Sequence, residues 1–386
     1  MHDKMPSILH ASLLVALFGL ASTAACGGSV SLADRPCPCA AGWTCCASDS
    51  VCVAPGMECP SDAGLPDQGA PEASAPDGGG SDGSAGDGSA ASTGTFILAP
   101  TQGNPQCMTV DASYVYWASS GGPVVRAAKS DGHIDSSGSN FGAQPCGLTT
   151  NGSMLLIAAG ERVQELALGG ASGFGSELAP PIVTFSQASS IVADDTYFYA
   201  TDLGSTTLRK CEIADPADND ACNGEVTLAT GLAMPDSIVQ DGSNVYWINR
   251  GTGEIMRAPK SGASAAAVIV AAPSSTQFAD NPQSLAIFGT RLYWTSVSTL
   301  FAADTDGNNK VALVTDPTGL YASGVAANES NVYWDDVHGL RKISVQGGTP
   351  ALVSNAGGRA VASLVVVDAS RVYWTDESGN VWSAPN

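Results

Sequence analysis

Beyond residue 95 the chain is written in short apolar runs whose side chains alternate between two faces, each run closed by Gly, Asn, Asp or Ser. A period of two over such lengths predicts β-strands, and the polar breaks between them predict tight turns. The runs also repeat. Val115-Tyr116-Trp117 returns as Val245-Tyr246-Trp247, Leu292-Tyr293-Trp294, Val332-Tyr333-Trp334 and Val372-Tyr373-Trp374. Two degenerate copies, Leu155-Leu156-Ile157 and Phe198-Tyr199-Ala200, fill the gap. With 117, 157, 200, 247, 294, 334 and 374 as equivalent positions, the spacings are 40, 43, 47, 47, 40 and 40.

Each unit has the same parts in the same order. An apolar strand leads, ending in six of the seven units in an acid or amide six residues before the Trp position, at Asp111, Asn151, Asp194, Asp241, Asn328 and Asp368. The Tyr-Trp strand follows, then a third and a fourth strand separated by Gly or Asp turns. Repeats of this length and composition predict an all-β fold, a seven-bladed β-propeller of four-stranded antiparallel blades spanning residues 96–386. Six blades would result if the second unit, which lacks Tyr and Trp, were irregular. The last unit stops at its third strand, Val381-Trp382-Ser383-Ala384, and the domain opens with an orphan strand, Phe96-Ile97-Leu98-Ala99. Pairing these two ends would complete the seventh blade and hide two open edges. Tyr116, Trp117, Tyr199, Tyr246, Trp247, Tyr293, Trp294, Tyr333, Trp334, Tyr373 and Trp374 are expected to pack between neighbouring blades. Their periodic place on the second strand suits a core better than a sugar-stacking platform.

Tyr373-Trp374-Thr375-Asp376 is a full YWTD motif, and Tyr199-Ala200-Thr201-Asp202, Tyr293-Trp294-Thr295-Ser296 and Tyr333-Trp334-Asp335-Asp336 are close to it. A basic residue recurs seven to ten positions after the Trp position, as Arg126, Arg209, Arg257 and Arg341. The repeats resemble the YWTD β-propellers of the low-density-lipoprotein-receptor type, in the form found in bacterial lipoproteins of unknown function. That resemblance implies the fold and is nearly silent on activity; the receptor-type propellers have six blades.

The segment ahead of the repeats changes the picture. Lys4, an apolar run from Ile8 to Leu20 interrupted by His10, and small residues Ala21 to Ala25 read as an export signal over residues 1–25. Thr23-Ala24-Ala25-Cys26-Gly27 resembles the lipobox of bacterial lipoproteins, with Thr23 where that family usually has Leu; it implies lipidation of Cys26 and a lipid-anchored place in the cell envelope, the outer membrane first. If the lipobox is not used, the chain is secreted. The chain has 11 cysteines, and setting Cys26 aside leaves an even number suited to an oxidising compartment. Cys37, Cys39, Cys45, Cys46, Cys52 and Cys59 make residues 26–59 a disulfide segment of open pairing. Cys107 with Cys146, just before the first strands of units one and two, and Cys211 with Cys222, around an acidic insertion, are expected as staples. Residues 60–95 hold no Lys, Arg or aromatic residue, and their acids fall at every fifth position from Asp62 to Asp87. Such a segment reads as a solvated tether, with a root-mean-square span of about 30–36 Å.

Sixteen Lys plus Arg against 37 Asp plus Glu give a net charge of −21, which argues against nucleic acid and against direct binding to anionic lipid. Candidate chemistry is sparse. Only His133 and His338 survive removal of the signal, and Asp335, Asp336 and His338 lie close enough in sequence to suggest a metal or acid–base site. Lone acids after a strand are more often turn formers. Asp304-Thr305-Asp306-Gly307-Asn308 resembles the start of a calcium loop but lacks a Glu eleven residues on, so a plain turn is preferred and no cofactor is expected. There is no phosphate-cradling glycine loop after a strand and no His-Glu-x-x-His metal motif.

The sequence therefore points to an envelope propeller that binds a protein, peptide or glycan. A propeller lyase or hydrolase near the central channel and a purely structural scaffold are the alternatives. Cys26→Ala is expected to shift the chain from the membrane fraction to the soluble fraction; unchanged fractionation would remove the anchor.

Overall fold

The computed structural model describes residues 44–46 and 51–53 and, from residue 94 to residue 386, all but short stretches at 120, 141–144, 170–173, 178–184, 214–224, 274–280, 317–319, 321, 323 and 356–363. The export signal, Cys26, Cys37, Cys39, Cys59, Cys222 and residues 60–93 lie outside the described residues. So do the side chains of Cys45, Cys46, Cys52 and Cys146. The chain divides into two compact units, Met1–Glu72 and Ala73–Asn386. In the first, strands β1 (Thr44–Cys46) and β2 (Val51–Val53) pair antiparallel, with Cys45 opposite Cys52.

The second unit is a ring of seven antiparallel sheets. It opens with β3 (Phe96–Ala99). Blade 1 follows as β4 (Pro105–Val110), β5 (Tyr114–Ser119), β6 (Pro123–Ala128) and β7 (Ile134–Asn140). Blade 2 is β8 (Pro145–Thr150), β9 (Met154–Ala159) and β10 (Arg162–Ala167). Blade 3 is β11 (Ala188–Ala193), β12 (Tyr197–Asp202), β13 (Thr207–Glu212) and β14 (Val226–Ala229). Blade 4 is β15 (Pro235–Gln240), β16 (Asn244–Asn249), β17 (Glu254–Pro259) and β18 (Ala267–Val270). Blade 5 is β19 (Ser284–Phe288), β20 (Arg291–Thr295), β21 (Thr299–Asp304) and β22 (Val311–Thr315). Blade 6 is β23 (Val325–Ala327), β24 (Asn331–Asp336), β25 (Gly339–Ser344) and β26 (Ala351–Ser354). Blade 7 is β27 (Val365–Val367), β28 (Arg371–Thr375), β29 (Val381–Pro385) and, on its outer edge, β3.

The first strands touch in the cyclic order β4, β8, β11, β15, β19, β23, β27 and back to β4, so they surround the axis. The second sequence repeat makes a blade of its own, which excludes the six-blade count. Leu155, Leu156 and Ile157 stand in place of Val-Tyr-Trp and are fully buried. Among the described residues its fourth position is marked by one bridge, Leu166 to Glu177. Ala167 N–H donates to the Ser176 carbonyl at 2.8 Å beside it.

Each blade buries its faces against its neighbours, and the sequence repeat fixes how. Tyr and Trp are successive residues on a strand and therefore point to opposite sides of the sheet. Tyr373 of blade 7 packs in one cluster with Trp117 of blade 1. Tyr199 shares a cluster with Trp247, Tyr246 with Trp294, Tyr293 with Trp334 and Tyr333 with Trp374. On either side of blade 2, Tyr116 meets Ile157, and Leu156 meets Ala200. A bulge recurs between the third and fourth strands, at Leu208/Arg209, Ile255/Met256, Leu300/Phe301, Leu340/Arg341 and Val381/Trp382. It adds twist at the same height in these five blades and re-aims the outer strand around its neighbour.

Near the axis blades meet more closely than a side chain permits at Gly147, where a Cβ would lie 2.9 Å from the Ile191 main-chain nitrogen. Register shows that Gly147 corresponds to Cys107, since they pair with Ala158 and Ala118. Cys107 and Cys146 were expected just ahead of the first strands at nearly matching positions. They lie inside β4 and β8 and one residue out of step: both strands bulge at the same place, where Cys146 is the bulged residue and Cys107 is the residue after the bulge. Cys107 is buried, and Cys211 on β13 is held in a disulfide.

Closure is achieved by β3, which pairs antiparallel with β29 through Ala99–Val381, Ile97–Trp382 and Phe96–Ser383. Arg371 pins the junction: it donates to the Gly94 carbonyl at 2.8 Å and to Ser383 Oγ at 2.6 Å, with its guanidinium 4.8 Å from the Phe96 ring centre. Deleting residues 96–100 uncovers β29 and removes buried Leu98 and Ala99. The melting temperature is expected to fall by about 10 °C or more; an unchanged value would refute closure by this strand.

Candidate functional site

Antiparallel blades sort their connections onto two faces. First-to-second and third-to-fourth strand turns emerge on one, here termed the ab face. Second-to-third turns and the crossings between blades emerge on the other, the bc face.

On the ab face the acid or amide that ends six of the seven first strands closes the hairpin beneath it. Asp111 Oδ1 accepts the N–H groups of Ser113 and Tyr114, and Asn151, Asp194, Asp241, Asn328 and Asp368 repeat this with their own second and third followers. These are Asx turns, for which Asp and Asn are the suited residues. The second carboxylate oxygen takes the tyrosine hydroxyl of the same blade: Tyr116 donates to Asp111 at 2.6 Å, Tyr246 to Asp241 at 2.6 Å, and Tyr199 and Tyr373 to Asp194 and Asp368 at 3.1 Å.

Two lysines complete the arrangement from the next blade. Lys129 Nζ lies 2.5 Å from Asp368 and Lys260 Nζ 3.1 Å from Asp194. Burial alone would raise the Asp368 carboxyl. The Lys129 ammonium and the N–H groups of Ser370 and Arg371 outweigh it and bring the group down to about 2. Burial, followed by the Asp368 charge, pushes the Tyr373 hydroxyl far up. The lysines carry a sequence signal that the repeat reading passed over, a Lys-Ser pair shortly before Gly at the end of the third strand, as Lys129-Ser130 and Lys260-Ser261.

On the bc face, the residue two beyond the Trp position plays the corresponding part. Trp334 Nε1 donates to Asp336 at 2.9 Å, Trp247 Nε1 to Asn249 at 3.2 Å and Trp382 Nε1 to Asp376 at 2.7 Å. Asp202 accepts the main-chain N–H groups of Ser186, Gln187, Gly204 and Ser205 and the Ser205 hydroxyl, tying its hairpin to the incoming crossing. Burial opposes ionisation of Asp202, yet these donors hold its carboxyl below the usual range.

The residues singled out for chemistry fall into this frame without converging. His133 lies in the turn between β6 and β7 on the ab face, its side chain 70% exposed and 3.2 Å from Asp135. His338 lies between β24 and β25 on the bc face, 3.4 Å from Asp336. The two imidazoles are therefore on opposite faces of the disc and in blades 1 and 6. Asp336 is buried, capped by the Trp334 indole and the His338 N–H, with Arg341 at 3.5 Å. Asp335 is buried on β24 at the position held by Thr201, Thr295 and Thr375 in other blades. In the Asp304–Asn309 turn the oxygens are engaged internally: Asn309 donates to Asp304 at 2.6 Å and Asn308 to Asp306 at 2.8 Å. Among the described residues no three His, Cys, Asp or Glu side chains are grouped to hold a metal ion.

Among the described residues, a cleft of about 380 Å³ lies between blades 5 and 6, lined by Leu313, Val314, Thr315, Asp316, Arg341 and Pro350.

Comparison with known proteins bears on the scaffold. The chain matches the β-propeller domain of Cps50 (Swd1) from Myceliophteria thermophila at 12% identity and a TM-score of 0.57, covering 74% of this chain and 98% of that one. It matches BamB from Moraxella catarrhalis at 12% identity and 0.51, covering 76% and 100%, and the computationally designed protein Ika8 at 10% and 0.53, covering 75% and 99%. The likeness is one of fold. No protein-family model matches the chain, and no curated protein does.

The depressed aspartates set an acid limit. A carboxyl whose folded value lies below its ordinary one contributes stability at higher pH and loses it as pH falls toward the folded value. Asp194, Asp202, Asp241 and Asp368 all shift in that direction. Melting temperature is expected to drop between about pH 5 and pH 2, and to drop less steeply in Lys129→Met, which removes the cation holding Asp368 down. An equal slope in both proteins would show that this contact carries none of the dependence.

Proposed function

We propose that the chain is a cell-envelope lipoprotein, anchored through Cys26 and carrying a YWTD-type propeller that serves as a protein-binding module. The observation that supports this most is the fate of the reactive groups. The two histidines emerge on opposite faces, and the acids beside them are engaged elsewhere, Asp135 by the Arg126 guanidinium and Asp336 by the Trp334 indole and the His338 N–H. A rigid closed disc with many surface turns suits recognition, because packing holds the turns while their sequences vary. The indole-to-carboxylate contacts at Asp336 and Asp376 support the YWTD assignment, since they give the final Asp of that motif a structural purpose.

The test is affinity capture with the full oxidised chain from envelope extract, followed by mass spectrometry. A saturable protein partner is expected, retained equally by His133→Ala and His338→Ala. An empty capture, or turnover of an envelope compound that is lost in His338→Ala, would overturn the binding reading.

A further inference from the structure

The cleft between blades 5 and 6 repeats, with one group missing, an arrangement that blade 3 completes. Arg209 on β13 stands opposite Ala200 at the Trp position, and Arg341 on β25 stands opposite Trp334 at the same height. Each guanidinium lies beside the carboxylate that ends the second strand, Arg209 at 3.8 Å from Asp202 and Arg341 at 3.5 Å from Asp336. Blade 3 supplies a second carboxylate, Glu225, whose Oε1 sits 2.9 Å from Arg209. In register, Lys210 pairs with Val226 and Lys342 with Ala351. One residue earlier on each fourth-strand approach stands Glu225 in blade 3 and Pro350 in blade 6. Pro350 offers no acceptor side chain, and there the cleft opens.

Arg341 is left with little company. Among the described residues its guanidinium makes one hydrogen bond, the 3.5 Å contact to Asp336, and lies 5.7 Å from the Trp334 ring centre. Its side chain is 25% exposed. A guanidinium has five donors in a planar fork that matches a carboxylate, and a half-buried one gains most from meeting it. Blade 3 shows that this fold holds one guanidinium between two carboxylates. The rest of the wall is apolar: Leu313, Val314 and Pro350 line the cleft, and Leu352, opposite Arg341 in register, is 58% exposed beside it. The lining residues Leu313 to Asp316 are consecutive, so β22 presents main chain as well as side chains, and β22 is the outer strand of its sheet. Such an edge accepts an extended peptide more readily than a compact solute.

We propose that this cleft binds an extended segment of a partner protein through one Glu or Asp side chain clamped by Arg341, with flanking apolar residues on Leu313, Val314 and Leu352. The proposal rests on the binding-module reading and gives it a place and a recognised chemistry. Its test uses the full chain and a synthetic library of acetylated, amidated pentapeptides with Glu or Gln at the centre and Val, Leu or Thr elsewhere. Glu peptides are expected to be retained about tenfold more strongly than their Gln partners. The preference should vanish in Arg341→Gln and in Pro350→Glu, which supplies the carboxylate that blade 3 has; the melting temperature of each variant reports whether it is folded. Equal retention of the two peptide classes, no retention, or a preference that survives in folded Pro350→Glu would overturn it. Self-association of the unliganded chain that Pro350→Glu abolishes would assign the cleft to a second copy and likewise refute a peptide occupant. A partner captured equally by wild type and Pro350→Glu would leave the binding module standing and sink the cleft.

Discussion

A sheet with two apolar faces and no helix to cover either must find its cover in another sheet, and here each blade has only its two neighbours. The Tyr of one blade and the Trp of the next meet that need at five of the seven interfaces, from Tyr199–Trp247 round to Tyr373–Trp117. An aromatic side chain buries about 150–250 Å², worth at most about 4–6 kcal/mol before the entropy of fixing it is subtracted. No blade in this arrangement is stable by itself, so the ring has to close, and the shared blade of β3 and β29 is the consequence. The bulges that recur in the outer hairpins and the close approach at Gly147 both follow from fitting flat sheets into a circle.

The fold could be read from the sequence because packing repeats wherever the sequence repeats. Tyr333-Trp334 and Tyr373-Trp374 are recognisable as one device used twice, and the orphan strand at Phe96 is recognisable as a missing part. Blade 2 shows how far this reaches: Leu156 and Ile157 have the volume and apolarity the position needs without the aromatic signature. What could not be read was which polar side chains of different repeats meet. Lys129 and Asp368 lie 239 residues apart and meet only because the ring closes. His133 and His338 looked like one candidate set, and only the alternation of antiparallel connections puts them on opposite faces.

Repetition also makes departures informative. Where equivalent positions in two blades carry the same cation but different partners, the surroundings that differ can be named residue by residue, as with Ala200 opposite one arginine and Trp334 opposite the other. Arg209 and Arg341 form such a pair, with Glu225 present beside one and Pro350 beside the other. The same comparison separates Asp202, whose five donors make it a structural knot, from Asp376 and Asp336, which serve an indole and a short turn.

The strand that closes the ring is also the strand by which the preceding chain is joined to it. Any pull transmitted through the residues before Gly94 therefore arrives at the outermost strand of blade 7, at the end where Phe96 pairs with Ser383. Under a pull directed away from the sheet edge, the pairs of β3 would separate one after another, as in unzipping, starting at Phe96–Ser383. The grip of Arg371 on the Gly94 carbonyl and the Phe96 ring sits at the first point of that zip. Mechanical failure of the disc would begin at this arginine, far along the chain from the segment on which the force is exerted.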